Sequence, residues 1–430
     1  MKQLLRNWTI AVLVCFFCMT SFAENQVKES GEIKWLRKAA ELGDAEAQYE
    51  LGYKYDNGFS VEQDYIMAVK WYRLAAKQGY AQAQYKLGGC FADGKGLEKD
   101  DVEAVKWYRQ AAEQGDADAQ LDLGICYADG TGVEINPTEA VKWFRLAAEQ
   151  GDKFVSSYAQ FLLGITYAHG NGVEKNATEA VMWFRKAAEN GYAEAQRRLG
   201  ECYHFGEGVE KDQAEAVKWF RQAAEQGDAD AQLRLGQCYF FGEGVEQDNK
   251  DEAVKWIRRA AEQGHAEAQY LLGLWYLEGG DGLEKNLTEA VKWVRMAAEQ
   301  GYAVAQTQLG RFYFKGEGVE IDLTEAVKWV RMAAEQGFSD AQRILGLNYK
   351  LGLGVEKDLT ESANWYRKAA EQGDFFAQAI LGDAYSEGAG MKKDLAEATK
   401  WYRKAYANPD ASPELKEEIK EKLIKLGETP

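Results

Sequence analysis

Apolar residues recur along this chain with the period of an α-helix, in short blocks that end at glycine. Glycine lowers helix propensity, so its recurrence inside one type of block, at Gly124 and equivalent positions, indicates that another helix approaches the backbone there. In this block type, one broad arc of the helical wheel carries Ala117, Ala119, Gln120, Leu123, Gly124 and Tyr127. The pattern predicts a helix with one buried face.

The second type of block is apolar around most of its circumference, which predicts a helix packed between neighbours on two sides. An example is formed by Ala104, Val105, Trp107, Tyr108, Ala111 and Ala112. The two types alternate along the chain, so the pattern predicts a series of two-helix repeats.

A tryptophan in the second block marks the period. Seven of the ten intervals in the series are 36 residues, two are 37 and one is 40. Because this period equals that of the predicted helix pairs, we expect the indoles to belong to the core and not to a ligand cage. The series consists of Trp35, Trp71, Trp107, Trp143, Trp183, Trp219, Trp256, Trp293, Trp329, Trp365 and Trp401.

Polar residues and glycines predict where the helices begin and end. An Asp or Asn precedes a Glu by three residues at the start of the second helix, as Asp322 precedes Glu325, which is typical of a capping box. Gly206 and Gly208 are expected to form the turn between the two helices. The second helix should end in left-handed glycine caps, at Gly115, Gly151, Gly227 and Gly264.

The repeated text resembles the Sel1-like repeat family: Ala-x-Ala-Gln-x-x-Leu-Gly-x-x-Tyr, then Gly-x-Gly-Val, then Glu-Ala-x-x-Trp with Ala-Ala-x-x-Gly. The resemblance extends from Ile33 to about Ala407. It implies an all-α fold, a right-handed α/α superhelical solenoid of about ten helix-pair repeats similar to tetratricopeptide repeats. It also implies a role as an adaptor in cell-envelope, secretory or signalling complexes.

The first residues have the order of a secretory signal. Lys2 and Arg6 precede an apolar run from Trp8 to Met19 that is too short to span a membrane comfortably, and cleavage is expected after Ala23. We therefore expect an exported protein, most simply periplasmic, with no transmembrane helix in the mature chain. Full secretion and an uncleaved N-terminal anchor are the alternatives. The expected organisation is a signal peptide at 1–23, a lead-in helix within 24–43, ten repeats over 44–409, and a capping helix with a tail at 410–430.

Net charge narrows the class of partner. The chain carries a formal charge of −17, which repels the phosphates of nucleic acids and the surfaces of anionic membranes. We therefore expect a protein or peptide partner, no nucleic acid, and a monomeric chain. Glutamates such as Glu113 lie three or four residues from a basic residue such as Arg109, which is typical of a solvated helix face.

Residues for catalysis are scarce. His169, His204 and His265 occupy different places in their repeats, and no metalloprotease, nucleophile-elbow or Ser-x-x-Lys motif is present. We expect no enzymatic activity, cofactor or metal. Two alternatives stay open: a cell-wall or lactam hydrolase, as suggested for a cysteine-rich branch of the family, and a secreted effector or glycan-binding adaptor. This chain lacks the paired cysteines that each repeat of that branch carries.

The mature chain keeps four cysteines at one position of the first helix. Neighbouring helices pack about 8–10 Å apart, whereas a disulfide requires Cα atoms nearer than about 7 Å. We therefore predict buried free thiols, and disulfides between adjacent repeats are the alternative in an oxidising compartment. The cysteines are Cys90, Cys126, Cys202 and Cys238, and the members of each pair are 36 residues apart.

The first helix of each repeat carries the same Gln, and the sequence varies after it. In solenoids of this kind the first helix lines the concave face. We predict a partner-binding groove with an apolar N-terminal half and an arginine-bearing C-terminal half that could bind carboxylates. The alternative is that these residues form local salt bridges and pack against adjacent repeats. The candidates are Tyr49, Tyr53, Tyr85, Leu121, Phe161, Arg197, Arg198, Arg234, Tyr270, Arg311 and Arg343.

Overall fold

The computed structural model describes residues 31–245, 249–279 and 282–429, so the predicted signal peptide lies outside the described residues. The described ranges form 22 helices and no β-strand, which confirms the all-α prediction. The helices are α1 (Gly31–Glu41), α2 (Ala45–Asn57), α3 (Tyr65–Lys77), α4 (Ala81–Asp93), α5 (Asp101–Glu113), α6 (Ala117–Asp129), α7 (Pro137–Ala148), α8 (Lys153–His169), α9 (Ala177–Glu189), α10 (Ala193–Phe205), α11 (Gln213–Glu225), α12 (Ala229–Phe241), α13 (Lys250–Glu262), α14 (Ala266–Glu278), α15 (Leu287–Glu299), α16 (Ala303–Lys315), α17 (Leu323–Glu335), α18 (Ser339–Leu351), α19 (Leu359–Glu371), α20 (Phe375–Glu387), α21 (Leu395–Ala407) and α22 (Pro413–Lys425).

The chain divides into two compact units, the first ending at Lys211 and the second beginning at Asp212. Within each unit every helix packs against the helix before it and the helix after it in sequence. Even-numbered helices from α2 to α20 are first helices of a repeat, and odd-numbered helices from α3 to α21 are second helices. This serial packing is that of an α-solenoid.

The glycine inside each first helix lies directly against a side chain of the second helix. A Cβ placed on Gly124 would lie 2.6 Å from Cδ1 of Phe144 and 3.3 Å from the carbonyl oxygen of Ala140. The aromatic ring therefore occupies the space that any other residue would need. The prediction of a close helix approach at Gly124 is confirmed.

The tryptophans of the second helices pack in the core, as predicted. Trp293, for example, is buried with Ile257 of the preceding second helix and Leu272 of its own repeat. Trp107 is half-buried, and the other second-helix tryptophans from Trp71 to Trp401 are buried. The prediction is wrong for Trp35 in α1, which is 70% exposed, because no described helix precedes α1 to cover it.

Helix ends follow the predicted chemistry in part. The carboxylate of Asp322 accepts a hydrogen bond from the amide of Glu325, as a cap should. The backbone N–H of Asp322 donates to the carbonyl of Tyr313, so Glu325 does not cap it and pairs instead with Lys328 at 3.0 Å. The capping box is therefore only half formed.

Glycine turns are confirmed with one exception. Gly206 and Gly208 have φ values of 77° and 72°, and a Cβ on Gly208 would lie 2.2 Å from the carbonyl oxygen of Ala177. Gly115, Gly227 and Gly264 also have positive φ. Gly151 does not, and that prediction is wrong: α7 ends early at Ala148, and Asp152 caps an α8 lengthened to 17 residues by the inserted sequence.

Adjacent repeats are joined by buried and half-buried polar contacts. The conserved Gln of a first helix donates to the last turn of the preceding second helix, as Gln342 Nε2 does to the Ala334 carbonyl at 3.1 Å. Arg109 donates to the Tyr127 hydroxyl at 2.5 Å, so the predicted solvent-facing pair with Glu113 is replaced by a contact between repeats. At the end of the chain, α22 buries Ile419 and Leu423 in one cluster with Tyr402.

Candidate functional site

A groove runs between two successive first helices, with the second helix of the earlier repeat as its floor. One such groove lies between α8 and α10 over α9, with a volume of about 510 Å³. A second lies between α16 and α18 over α17, with a volume of about 280 Å³. The two use equivalent positions of their repeats, so the scaffold builds the same recess in both compact units and only the side chains differ.

The α16/α18 groove has mainly apolar walls. Val330 of α17 forms part of the floor, and Phe314, Ile344 and Leu347 line the sides. Phe314 is 44% exposed and Leu347 is 41% exposed, although both are large apolar residues. Exposed apolar side chains around a recess are typical of a surface that receives a partner.

Two arginines at the edge of the α16/α18 groove share one carboxylate. Arg311 Nη2 lies 2.6 Å from Asp340 Oδ2, and Arg343 binds the other oxygen of Asp340. Arg343 Nε also lies 3.1 Å from Asp374 Oδ2, and its guanidinium is 5.6 Å from the ring centre of Phe376. Two of the five predicted arginines, Arg311 and Arg343, are therefore brought together at this groove. Both are already paired with local carboxylates, as the alternative interpretation expected.

The α8/α10 groove has a more polar lining. Ile165 and Phe184 supply apolar surface, while Arg198 and Glu201 form an ion pair at 3.1 Å along one wall. Cys202 also lines the groove, where burial raises the pKa of its thiol to about 12. A thiol with so high a pKa is poorly suited to nucleophilic chemistry near neutral pH.

Aromatic rings form a row at the N-terminal end of the first compact unit. The ring centres of Tyr49 and Tyr80 are 5.3 Å apart, those of Tyr49 and Tyr53 are 6.4 Å apart, and those of Tyr53 and Phe59 are 6.1 Å apart. Tyr49 and Tyr53 are half-buried, and Phe59 is 53% exposed. The row therefore presents ring surface to solvent.

The profile of the Sel1 repeat matches eleven segments that cover most of the chain. Ten are full repeats, and the first is a short stretch that begins in the predicted lead-in helix and ends one residue beyond it. The matched residues are 33–44, 45–80, 81–116, 117–152, 157–192, 193–228, 229–265, 266–302, 303–338, 339–374 and 376–410. The chain belongs to the Sel1 repeat family.

Two solved structures extend this assignment. The first is a protective antigen present in uropathogenic Escherichia coli strains and displaying an SLR fold; it is 41% identical, with 91% of this chain and 83% of that chain covered and a TM-score of 0.73. The second is a Sel1 repeat protein from Oxalobacter formigenes, 34% identical, with 73% and 89% covered and a TM-score of 0.59. A comparison with curated proteins gives no match.

Within the Sel1 repeats, the apolar and aromatic candidates are more buried than an exposed contact surface requires. Leu121 and Phe161 are buried, and Tyr85 and Tyr270 are half-buried. The Phe161 ring lies 5.9 Å from that of Phe184 in the next helix. The residue after the conserved Gln therefore packs against the second helix of its own repeat, a structural demand that the sequence pattern did not reveal.

The remaining arginines also contact neighbours on their own helices. Arg197 is only 9% exposed and pairs with Glu201 at 2.9 Å, while Arg234 donates to Gln237 at 3.2 Å. Arg198 alone of these three lines a described groove.

Groove residues outside the predicted set include the wall positions Phe314, Ile344 and Leu347 and the floor positions Phe184 and Val330. A signal for the floor was present, because each floor residue directly follows a periodic tryptophan. The groove walls lie two, five and eight residues after the Gln of the first helix, whereas most of the predicted candidates lie directly after that Gln.

The histidines are dispersed in the structure as well. His265 caps α14 and its Nε2 lies 3.0 Å from Asp230 Oδ1, whereas His169 lies at the end of α8. Among the described residues, no group of three His, Cys, Asp or Glu side chains is placed to hold a metal ion. No helix in the same ranges is long and apolar enough to cross a membrane.

Proposed function

We propose that this Sel1 repeat protein is an exported, monomeric, non-enzymatic scaffold that holds protein or peptide partners in the grooves between its first helices. The observation that carries the proposal is the α16/α18 groove, where one recess of a repeated scaffold is lined by exposed Phe314 and Leu347. A recess of about 280 Å³ has room for one or two side chains of a partner.

The repeated fold of the chain supports a binding function. Each repeat encodes the same backbone shape, so specificity is left to the few side chains that differ between grooves. The apolar α16/α18 groove and the mixed α8/α10 groove illustrate that difference on equivalent positions. A partner that lies along several first helices would contact several such recesses in succession.

Export is supported by the secretory pattern of residues 1–23 and by the relative described as a protective antigen. The test is fractionation of cells that produce the chain with a C-terminal tag, followed by mass measurement. We expect a periplasmic or secreted product that has lost residues 1–23. A cytoplasmic product with Met1 to Ala23 intact would overturn this part of the proposal.

Partner binding is tested by capture from the producing cell's own envelope with purified mature protein. Replacing Phe314 and Leu347 by serine should reduce recovery of specific partners at least tenfold, because the anchor side chains lose their apolar contacts. The matched control is Ile424→Ser in α22, which is 57% exposed but outside both grooves. Equal recovery by all three proteins would contradict a role for the groove.

A further inference from the structure

Four side chains form a stripe along one face of α2. Glu46, Tyr49, Glu50 and Tyr53 are spaced at i, i+3, i+4 and i+7, which places them on the same side of a helix. Both glutamates are exposed, and both tyrosine side chains are half-buried. Together with Phe59 and Tyr80, which continue the row of rings, we call this surface the α2 stripe.

The next first helix shows how such a surface holds a cation. Lys86 in α4 occupies the position equivalent to Glu50, two residues after the conserved Gln. Its Nζ lies 5.4 Å from the centre of the Tyr85 ring, within the range of a cation–π interaction. Its charge also acts on Asp118 and Asp122 of the following repeat and favours their ionised forms.

The α2 stripe has the rings and the carboxylates without the cation. Among the described residues, no lysine or arginine lies over the ring of Tyr49 or Tyr53, and neither Glu46 nor Glu50 forms an ion pair. Lys54, the basic residue of α2, pairs with Glu32 in α1 at 2.9 Å. The stripe therefore offers partly exposed aromatic rings and two carboxylates without an ion-pair partner to solvent.

We infer that the α2 stripe binds lysine or arginine side chains of a basic segment of a protein partner. A cation over Tyr49 or Tyr53 would gain the ring quadrupole and the charge of Glu46 or Glu50 together. The formal charge of −17 on the chain steers such a segment toward the protein and repels nucleic acids and anionic lipids. This inference rests on the proposed scaffold function and names the chemistry of one partner.

The probe is a fluorescent ten-residue peptide of alternating lysine and alanine, with a glutamine and alanine peptide as the neutral comparison. Binding to the full mature chain is followed by fluorescence anisotropy at low and at physiological salt. We expect binding of the lysine peptide alone. Tyr53→Leu should weaken it about 3- to 10-fold through loss of the ring quadrupole, whereas Tyr53→Phe should retain binding.

A second experiment compares the loss of two carboxylates at the α2 stripe with the loss of two carboxylates elsewhere on the protein. The variant E46Q/E50Q should weaken the lysine peptide at least fivefold, and E335Q/E371Q, which makes the same change in net charge at exposed ends of α17 and α19, should leave it within twofold. Helix content by circular dichroism checks that all variants fold. Equal weakening by both double variants would overturn the inference, because it would show diffuse attraction to an acidic protein.

Absence of lysine-peptide binding would also overturn the inference. Such a failure is distinct from failure of the proposed function, because capture of partners through Phe314 and Leu347 depends on the other compact unit. Loss of that capture with peptide binding retained would instead contradict the α16/α18 groove and leave the α2 stripe standing.

Discussion

The guanidinium of Arg331 in α17 donates a hydrogen bond to the hydroxyl of Tyr349 in α18 at 2.8 Å and lies 5.5 Å from the ring centre. One side chain thus forms both a hydrogen bond and a cation–π contact across a junction between repeats. The same pairing recurs at Arg258 with Tyr276 and at Arg295 with Tyr313. This recurring contact links the second helix of one repeat to the first helix of the next.

Removal of the Tyr349 hydroxyl should destabilise the junction between α17 and α18. Tyr349→Phe is expected to lower the free energy of unfolding by about 0.5–1.5 kcal/mol, the net value of one hydrogen bond. Urea unfolding followed by circular dichroism measures it. Tyr302→Phe is the control, because no other described residue forms a hydrogen bond with that hydroxyl, so the change should be smaller. Equal losses would show that the Arg331 contact is unimportant.

Two adjacent glycines in α4 should respond in opposite directions to alanine. A Cβ on Gly88 would lie 2.6 Å from Cδ1 of Tyr108, so Gly88→Ala should destabilise by about 1–3 kcal/mol through overpacking. Gly89 meets only the Tyr108 hydroxyl at 3.9 Å, so Gly89→Ala should stabilise by about 0.5–1 kcal/mol through helix propensity. Thermal and urea unfolding of the two variants would contradict the packing account if Gly88→Ala proved neutral.

Asp122 should make stability depend on pH. Burial raises the pKa of its carboxyl to about 6, with Asp118 and Asp116 acting in the same direction and the Tyr85 hydroxyl and Lys86 opposing it. The folded state therefore binds more protons than the unfolded state between about pH 4 and pH 6. This contribution to stability is present at low pH and is lost as the pH rises through that window.

The variant Asp122→Asn isolates the effect, because the amide has the same shape and no titrating proton. Its stability relative to the parent chain should increase as the pH is raised from 4 to 7, as measured by the urea midpoint in a pH series. A constant difference between the two proteins across that range would contradict a raised pKa at Asp122.

Cys90, Cys126, Cys202 and Cys238 should be slow to react in the folded protein. Each thiol is buried, and burial raises each pKa to about 12, so little thiolate is available at pH 8. We expect four titratable thiols in denaturant without reductant and much slower labelling in its absence. Two or fewer thiols before reduction would show that disulfides form between repeats.

The repeat could be predicted from sequence because its signals are local. Helical periodicity, cap residues and the 36-residue spacing of tryptophan each depend on neighbours within one helix pair. Gly151 shows the limit: the same glycine lost its role when an insertion lengthened α8 and moved its cap to Asp152. Trp35 was grouped with the core because its spacing matches that of the second-helix tryptophans, although it lies in α1 and is exposed.

The candidate site was harder to predict because it depends on contacts between repeats. Phe161 looked free to vary, yet it packs against Phe184. Arg343 looked available for a ligand, yet it binds Asp340 on its own helix and Asp374 at the start of α20. Which face of a first helix meets solvent is set by the crossing of three helices, and no single helical wheel contains that information.

Site-specific photo-crosslinking in living cells tests the central claim most directly. A photoreactive amino acid is placed at Leu347, which lines the α16/α18 groove, and separately at Lys328, two residues from both Ala326 and Val330 and therefore on the opposite face of α17. We predict discrete crosslinked partners from position 347 and none from position 328. Identical crosslinking from both positions, or none from either, would contradict a scaffold that binds through its first-helix grooves.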